Sequence, residues 1–137
     1  MQSPGISVSS EQLPVMLNVL SVDDDEIDRL RLKTLCRKAG LTFDFHEAAN
    51  LQDMRRKLDD APFDLVVLDH NLGMDTGLEA LQILQAHEDQ VRALPIMLTS
   101  STNYQIAVKA MRQGCADYIV KDELTVDALI KSVASAI

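Results

Sequence analysis

The sequence has few cysteines, no tryptophan and no long apolar run, and these absences exclude several classes of protein. The two cysteines, Cys36 and Cys115, lie far apart and match no metal-binding spacing, so we expect both to be buried, reduced thiols. No apolar run approaches the roughly 18 residues that a membrane-spanning helix needs. The first fourteen residues have neither a basic start nor an apolar stretch, which argues against a secretory signal and predicts a cytoplasmic protein.

Positive charge is also scarce, because 13 Lys and Arg residues face 21 Asp and Glu residues, which gives a formal net charge of −8. A chain this acidic is a poor match for nucleic-acid phosphates or an anionic membrane, so neither is expected as a direct partner. Its 137 residues suffice for one domain with a buried core. We predict a flexible N-terminal tail over residues 1–14 and one domain over residues 15–137.

Five apolar segments alternate with stretches of helical periodicity after the tail. These segments are residues 15–22, 41–45, 63–68, 94–98 and 116–120. Three of them are nearly continuous, as strands covered on both faces must be. In the second segment, Leu41, Phe43 and Phe45 alternate with polar residues, which is typical of an edge strand. Five βα units predict an α/β fold, a doubly wound parallel sheet with right-handed crossovers and helices on both faces.

Capping residues mark the start of several predicted helices. The predicted N-caps are Asn50, Thr76, Thr102 and Thr125. Glu79 follows Thr76 by three residues and Gln105 follows Thr102 by three, so each pair fits a capping box.

Polar side chains follow four of the predicted strands at their carboxyl ends, where parallel α/β sheets bind ligands. The first strand is followed by Asp23 and Asp24, the third by Asp69, the fourth by Thr99 and the fifth by Lys121. Carboxylates gathered in one crevice repel each other, and a divalent cation relieves that repulsion. Mg²⁺ prefers carboxylates, carbonyls, waters and phosphate oxygens, and it is the expected cofactor.

The same residues suit a phosphoryl group carried on a carboxylate. Asp69, alone at the end of the central strand, is the natural nucleophile. Lys121 and the cation would neutralise the developing charge, while Thr99 would donate a hydrogen bond to a phosphoryl oxygen. Taken singly, Asp69 is also typical of a turn and Lys121 of a solvated surface, and the coincidence at four strand ends favours the functional interpretation. Glu26 and Asp28 are assigned instead to the N-terminus of a helix, where acidic side chains favour the dipole.

Four segments resemble, in order, the motifs of the receiver domain of two-component response regulators. They are VDDDE at residues 22–26, LDHNLGMDTG at 68–77, LTSS at 98–101 and DYIVK at 117–121. The resemblance covers residues 15–137 and identifies them as a receiver, or phosphoacceptor, domain. It implies the flavodoxin-like (βα)5 fold with strand order 2-1-3-4-5.

The resemblance also implies a role for the residues at the strand ends. Asp23 and Asp24 would bind Mg²⁺ together with Asp69 and the backbone carbonyl of Asn71. Asp69 would be the phosphoacceptor, and Lys121 would be the cation that pairs with the phosphoryl group.

Receiver domains act as signalling switches, which predicts the function of the chain. The resemblance implies that a histidine kinase or histidine phosphotransfer protein donates the phosphoryl group, and that the domain is not a turnover enzyme. Phosphorylation would move the switch hydroxyl of Thr99 and the switch aromatic ring of Tyr118, and so alter binding to an output domain or partner protein. The last helix stops at Ile137 within its apolar stripe, so we expect an output domain to follow in a longer chain.

The sequence departs from the family pattern at three positions. Asp122 follows Lys121 where the family usually has a proline. Gly73 replaces a common proline after the acceptor, and this glycine predicts a more mobile loop between the third strand and the third helix. Pro95 lies one residue closer to Thr99 than the pattern has it, which predicts a short or bulged fourth strand.

Two other functions are compatible with parts of the sequence. A small aspartate-nucleophile phosphatase would use Asp23 as its nucleophile, with Asp25 completing an Asp-x-Asp motif after the first strand. Such enzymes usually carry Thr or Val at the position of Ile27, and 137 residues leave little room for a substrate cap. A receiver fold that serves only as a scaffold would not need the complete set of acidic pair, acceptor, hydroxyl and lysine.

Overall fold

The structure, a computed structural model, describes residues 16–100 and 103–136. The predicted tail over residues 1–14 lies outside the described residues, and so does the predicted cap Thr102. No helix in the described part of the chain is long and apolar enough to cross a membrane.

Among the described residues, five parallel strands form one sheet at the centre of the fold. They are β1 (Leu17–Val22), β2 (Phe43–Ala48), β3 (Leu65–Leu68), β4 (Leu94–Thr99) and β5 (Asp117–Val120). The strands lie in the order β2-β1-β3-β4-β5, and all neighbouring pairs are parallel. This order confirms the predicted flavodoxin-like α/β fold and places β2 at an edge, as its alternating pattern indicates. Strand β2 extends to Ala48, three residues beyond the predicted segment, which ends at residue 45.

In the described part of the chain, five α-helices connect and flank the strands. They are α1 (Glu26–Lys38), α2 (Leu51–Asp60), α3 (Gly77–Ala86), α4 (Tyr104–Arg112) and α5 (Val126–Ala136). Asn50 caps α2 and the Thr76–Glu79 capping box begins α3, both as predicted. The predicted start of α4 at Thr102 is wrong by one residue, because the side chain of Asn103 accepts the hydrogen bond from the Gln105 N–H at 2.9 Å. Asn and Thr are both good caps, and the neighbouring residue forms the bond here.

Helices cover both faces of the sheet. On β1, Leu20 and Val22 pack into a cluster with α2, α3 and α4, whereas Leu17 and Val19 pack into another with α1 and α5. Burial on both faces explains why the central strands are almost continuously apolar. Since the faces are covered, the polar residues at the carboxyl ends of the strands are the ones left to meet a ligand.

Both cysteines are buried and free, as predicted. Cys115 belongs to the first cluster and Cys36 to the second, on opposite faces of the sheet. Burial raises the pKa of Cys36 to about 11 and also raises the pKa of Cys115. Both thiols are therefore protonated and unreactive at neutral pH.

The fourth strand is neither short nor bulged, so the prediction drawn from Pro95 is wrong. β4 has six residues, and it pairs with β3 in unbroken register from Leu94 to Met97. Pro95 precedes the Ile96–Asp117 pair at which the β5 ladder begins, and its carbonyl accepts from the Ala116 N–H at 2.7 Å. Proline lacks an N–H donor, but Pro95 lies before the first β4–β5 residue pair, so no hydrogen bond between these strands is lost.

A short antiparallel hairpin, Asn71–Leu72 with Asp75–Thr76, joins β3 to α3. Its turn contains Gly73 at a φ of +70°, a conformation that the proline ring excludes. Glycine at the position of the family proline therefore allows this tight turn. The mobility of the loop stays a prediction. After β5, Lys121–Glu123 forms a 3-10 turn, and no cis peptide bond occurs among the described residues.

Candidate functional site

The end of β1 delivers a buried carboxylate to the edge of the sheet. The Asp23 N–H donates to the Ala48 carbonyl at 3.0 Å, which extends the β1–β2 ladder by one residue and fixes the backbone of Asp23. The side chain of Asp23 accepts from the Asp25 N–H at 2.9 Å, and only 5% of the residue is exposed. Asp24 is exposed beside it, and Asp25 caps α1.

A second buried carboxylate stands at the end of the central strand β3. The Asp69 N–H donates to the Val22 carbonyl at 2.8 Å, so the backbone of Asp69 is held against the end of β1. Its side chain accepts from the Asn71 N–H at 3.3 Å, and the residue is 5% exposed. The Gly77 N–H donates to the His70 carbonyl at 2.8 Å, which draws the start of α3 against the acceptor strand.

Lys121 joins the two strand ends through its ammonium group. Its Nζ lies 2.9 Å from Asp23 Oδ2, 3.2 Å from Asp69 Oδ2 and 2.7 Å from Asp28 Oδ2. The Lys121 side chain is 12% exposed, so these contacts are largely shielded from solvent. The structure therefore brings together the lysine and two of the carboxylates that the sequence places at separate strand ends.

The pKa values of Asp23 and Lys121 are both raised, but for different reasons. Burial raises the pKa of the Asp23 carboxyl from 3.8 to about 6, because hydrogen bonds from Lys121 and Asp25 offset the loss of solvent only in part. Burial alone would lower the pKa of Lys121, but hydrogen bonds to Asp28 and Asp23 outweigh it, and the pKa is raised. The ammonium is held charged, whereas ionised Asp23 lacks sufficient positive charge around it.

The carboxylates fit a divalent cation. Asp23, Asp24 and Asp69 each offer an oxygen atom, and these atoms lie within 4.8 Å of one another. Oxygen donors of this kind suit Mg²⁺ and Ca²⁺. Burial, with a smaller contribution from the negative charge of Asp69, raises the pKa of Asp23, and a cation would favour its ionised form. The acidic residues present thus match a hard divalent metal ion, and the participation of the Asn71 carbonyl stays a prediction.

Arg29 fixes the backbone at the acidic end of β1. Its guanidinium donates from Nη1 to the carbonyl of Asp23 and from Nε to Glu47 Oε1 at 2.9 Å. The Arg29 side chain is 12% exposed and ties the first turn of α1 to strand β2. The position of the Asp23 carboxylate therefore depends on a residue of the following helix.

The two predicted switch residues lie on the side of the site formed by β4 and β5. Thr99 is the last residue of β4, pairs with Val120 and is fully buried. Tyr118 on β5 pairs with Met97 and packs, half-buried, against the cluster that contains α3 and α4. Thr99 thus ends its strand at the same edge of the sheet as Asp69, and Tyr118 lies two residues further from that edge than Val120.

Three residues of this region were not assigned to the site from the sequence. Asp28 contacts Lys121, although its place in the first turn of α1 suggests only a helix-terminal charge. Arg29 and Gly77 likewise act through contacts between elements that are distant in the sequence. No local pattern in the sequence indicates these contacts, because each of them joins parts of the chain that only the packing of the fold brings together.

Known signalling proteins resemble this chain in sequence and in fold. A family model for the response regulator receiver domain matches residues 19–134. The regulatory protein AtoC of Escherichia coli is 31% identical over 103 residues, which cover 75% of this chain and 22% of AtoC. The chain spans only 3% to 40% of the length of three such curated relatives.

Solved structures agree with the fold. The signal receiver domain of a two-component histidine kinase from Clostridium thermocellum superposes with a TM-score of 0.76 at 26% identity, covering 88% of this chain and 96% of that one. A Burkholderia pseudomallei response regulator with a phosphorylated aspartic acid, a calcium ion and citrate gives a TM-score of 0.70 at 24% identity. That match covers 85% of this chain and 66% of the other, and it shows a shared fold.

Proposed function

The chain belongs to the response regulator receiver domain family, and on this premise we propose that Asp69 accepts a phosphoryl group in a Mg²⁺-dependent reaction. The observation that carries the proposal is the position of Asp69. It is a buried carboxylate at the end of the central strand, 3.2 Å from an ammonium and clustered with two further carboxylates. This combination supplies a nucleophile, a cationic partner for phosphoryl oxygens and ligands for a metal ion.

The proposed step is an in-line displacement at phosphorus. An Asp69 carboxylate oxygen attacks the phosphorus of a phosphohistidine, the P–N bond breaks, and its electron pair returns to the imidazole nitrogen. The product is an acyl phosphate on Asp69. Lys121 already touches Asp69 Oδ2 and can follow the charge onto the phosphoryl oxygens, which favours the transition state over the free carboxylate.

Asp23, Asp24 and Asp69 would hold the metal ion. When bound, Mg²⁺ supplies positive charge to neutralise phosphoryl oxygens and the crowded carboxylates. The chain's own contribution is to fix those carboxylates, through the Asp25 N–H and the Arg29 guanidinium at Asp23 and the Asn71 N–H at Asp69. Preparing the ligands in advance lowers the cost of ordering them when the reaction begins.

The proposed outcome of phosphorylation is a change in partner binding. In this proposal Thr99 would donate a hydrogen bond to a phosphoryl oxygen, and its movement would open space into which the Tyr118 ring could turn. The phosphodonor is proposed to be a histidine kinase or histidine phosphotransfer protein, and the readout an output domain or separate partner. The matched region covers only 22% of AtoC, so an attached output domain is part of the proposal. A cytoplasmic location stays a prediction.

Acetyl phosphate with Mg²⁺ provides the direct test. Intact mass spectrometry should show one added phosphoryl group, and hydroxylamine should remove it because it is an acyl phosphate. Asp69→Asn should abolish the label, whereas Asp60→Asn, which changes an exposed aspartate at the end of α2, should leave it intact. Asp24→Asn should raise the Mg²⁺ concentration needed for half-maximal labelling.

The same experiment distinguishes the alternatives. A label that maps to Asp23 together with turnover of a generic phosphomonoester would favour the aspartate-nucleophile phosphatase. A folded, Mg²⁺-binding protein that takes no label from acetyl phosphate or a phosphohistidine donor would be a scaffold.

A further inference from the structure

Asp28 makes the shortest contact to the lysine of the proposed phosphoacceptor site. Its Oδ2 lies 2.7 Å from Lys121 Nζ, compared with 2.9 Å for Asp23 and 3.2 Å for Asp69. The Asp28 side chain is 21% exposed, so the contact is partly shielded from water. Asp28 comes from the first turn of α1, an element that supplies no other carboxylate to Lys121 among the described residues.

The three contacts use the full donor capacity of the lysine. An ammonium group has three N–H donors, and three carboxylates occupy them here. Asp23 and Asp69 also belong to the group of oxygens that fits a metal ion, but Asp28 does not. Asp28 is therefore the one partner of Lys121 that neither metal binding nor phosphorylation would engage.

This carboxylate also places negative charge close to the acceptor. Asp28 Oδ2 and Asp69 Oδ2 are 2.7 and 3.2 Å from the same nitrogen, so they are at most ~6 Å apart. At that separation a charge in a partly shielded position still interacts with an incoming phosphoryl group. Asp28 therefore competes with Asp69 for the Lys121 ammonium, and its negative charge also repels the phosphoryl group that the ammonium would bind.

We propose that Asp28 is a positioning residue that holds Lys121 toward α1 and so restrains phosphorylation of Asp69. The inference rests on the proposed function, because it concerns the rate of that reaction. Two effects have the same sign: the ammonium is drawn toward α1, and an additional negative charge faces the phosphoryl group. When the Asp28 charge is removed, the Lys121 ammonium can interact more strongly with Asp69 and with the phosphoryl oxygens.

Metal binding responds in the opposite sense. The negative charge of Asp28 helps to attract a divalent cation to the neighbouring carboxylates, so its removal weakens Mg²⁺ binding. A substitution that only damaged the fold would lower both metal binding and phosphorylation. Opposite changes in the two quantities are therefore specific to the proposed role.

The test compares Asp28→Asn with the parent protein in Asp69 labelling by acetyl phosphate at saturating Mg²⁺. The labelling rate should rise roughly threefold to tenfold, as expected for loss of one partly shielded charge contact. Calorimetric titration with Mg²⁺ should show a higher Kd for Asp28→Asn than for the parent protein. Glu26→Gln removes an equal charge from the same turn of α1, where Glu26 is exposed, and should change the rate much less.

A double-variant cycle ties the effect to the lysine. In a Lys121→Gln background, which lowers the basal rate, Asp28→Asn should accelerate labelling by a clearly smaller factor than in the parent, because only the charge repulsion is left to relieve. An Asp28→Asn rate equal to or below that of the parent, in a variant whose melting curve shows it folded, overturns the inference and leaves the proposed function standing. Absence of any Asp69 label in the parent protein overturns both, and an equal acceleration by Glu26→Gln overturns the role of the Lys121 contact.

Discussion

The Cα of Gly77 lies against the backbone of Asp69, so closely that a Cβ at Gly77 would stand 2.6 Å from the Asp69 carbonyl oxygen. The same Cβ would lie 2.9 Å from the Cα of His70. A main-chain atom cannot swing aside as the end of a flexible side chain can. The requirement for glycine at the start of α3 is therefore steric, and it protects the position of the proposed acceptor.

Gly77→Ala should displace Asp69 and destabilise the fold. We expect a loss of about 2 kcal/mol in the free energy of unfolding, in the range of overpacked positions, and much slower Asp69 labelling. Urea unfolding and labelling with acetyl phosphate measure the two effects. Gly40→Asn is a suitable control because Gly40 has a positive φ of 78° with open space around it, a conformation that Asn tolerates. Equal stability of Gly77→Ala and the parent would contradict the steric argument.

The raised pKa of Asp23 predicts how stability depends on pH without metal. Because the folded pKa of about 6 lies above the ordinary 3.8, protonated Asp23 favours folding, and this contribution is complete below pH 3.8 and lost as the pH rises through 6. Asp23→Asn should therefore gain stability relative to the parent between pH 4 and 7, by on the order of 2 kcal/mol.

Urea unfolding at several pH values, with a chelator present, measures this difference. Saturating Mg²⁺ should reduce or reverse the advantage of Asp23→Asn, because the cation stabilises the ionised carboxylate that the variant lacks. A difference between the two proteins that stays constant from pH 4 to 7 would count against the assignment.

Gln90 should be a major contributor to stability at the end of the sheet away from the site. Its buried side chain accepts from the Phe63 N–H at 2.9 Å and donates to the carbonyls of Leu58 and Ala61 at 2.9 and 2.7 Å. Pro62 stands four residues after Leu58 and has no N–H, so the helix cannot satisfy that carbonyl.

Gln90→Leu should cost about 3 kcal/mol in the free energy of unfolding, because it leaves three backbone groups without this partner. Thermal or urea unfolding measures the change, with the exposed Gln52→Leu on α2 as the matched control. A loss no larger than that of the control would show that water replaces the lost hydrogen bonds.

Tyr118 should become less accessible when a phosphoryl mimic occupies Asp69. The chain has two tyrosines and no tryptophan, so Tyr118 can be observed alone by its fluorescence in a Tyr104→Phe background. Beryllofluoride with Mg²⁺ should lower acrylamide quenching of that fluorescence, because the ring turns into space that Thr99 vacates. Thr99→Val, which keeps the shape and removes the hydroxyl, should abolish the change. Unaltered quenching in the Tyr104→Phe protein would refute the coupling.

Much of the fold follows from patterns that are local in the sequence. Continuous apolar runs identify the buried strands, the alternation at Phe43 and Phe45 identifies an edge, and capping residues such as Asn50 mark helix starts. These signals are read within a few residues, because side-chain periodicity and backbone capping depend on near neighbours. Where two residue types that cap well are adjacent, at Thr102 and Asn103, the sequence indicates that a helix starts there but not which side chain forms the capping hydrogen bond.

The candidate site follows from the sequence for the same reason. In a parallel sheet the carboxyl ends of all strands meet at one edge, so residues directly after the strands, such as Asp23, Asp69 and Lys121, must lie near each other. The distances among them bear this out. Their roles in phosphoryl transfer and metal binding stay predictions until the labelling and titration experiments are done.

Only the tertiary structure could decide the contacts between elements far apart in the chain. Asp28 and Lys121 are separated by 93 positions, and they meet because α1 packs beside α5 on one face of the sheet, within reach of the lysine side chain that follows β5. The exclusion of a Cβ at Gly77 and the three hydrogen bonds of Gln90 likewise depend on how elements pack. Side-chain periodicity is local, so the residues that follow each strand can be identified without a structure. The packing of helices on the sheet decided which of their neighbours touch them, because that depends on the combined shape of all the side chains between them.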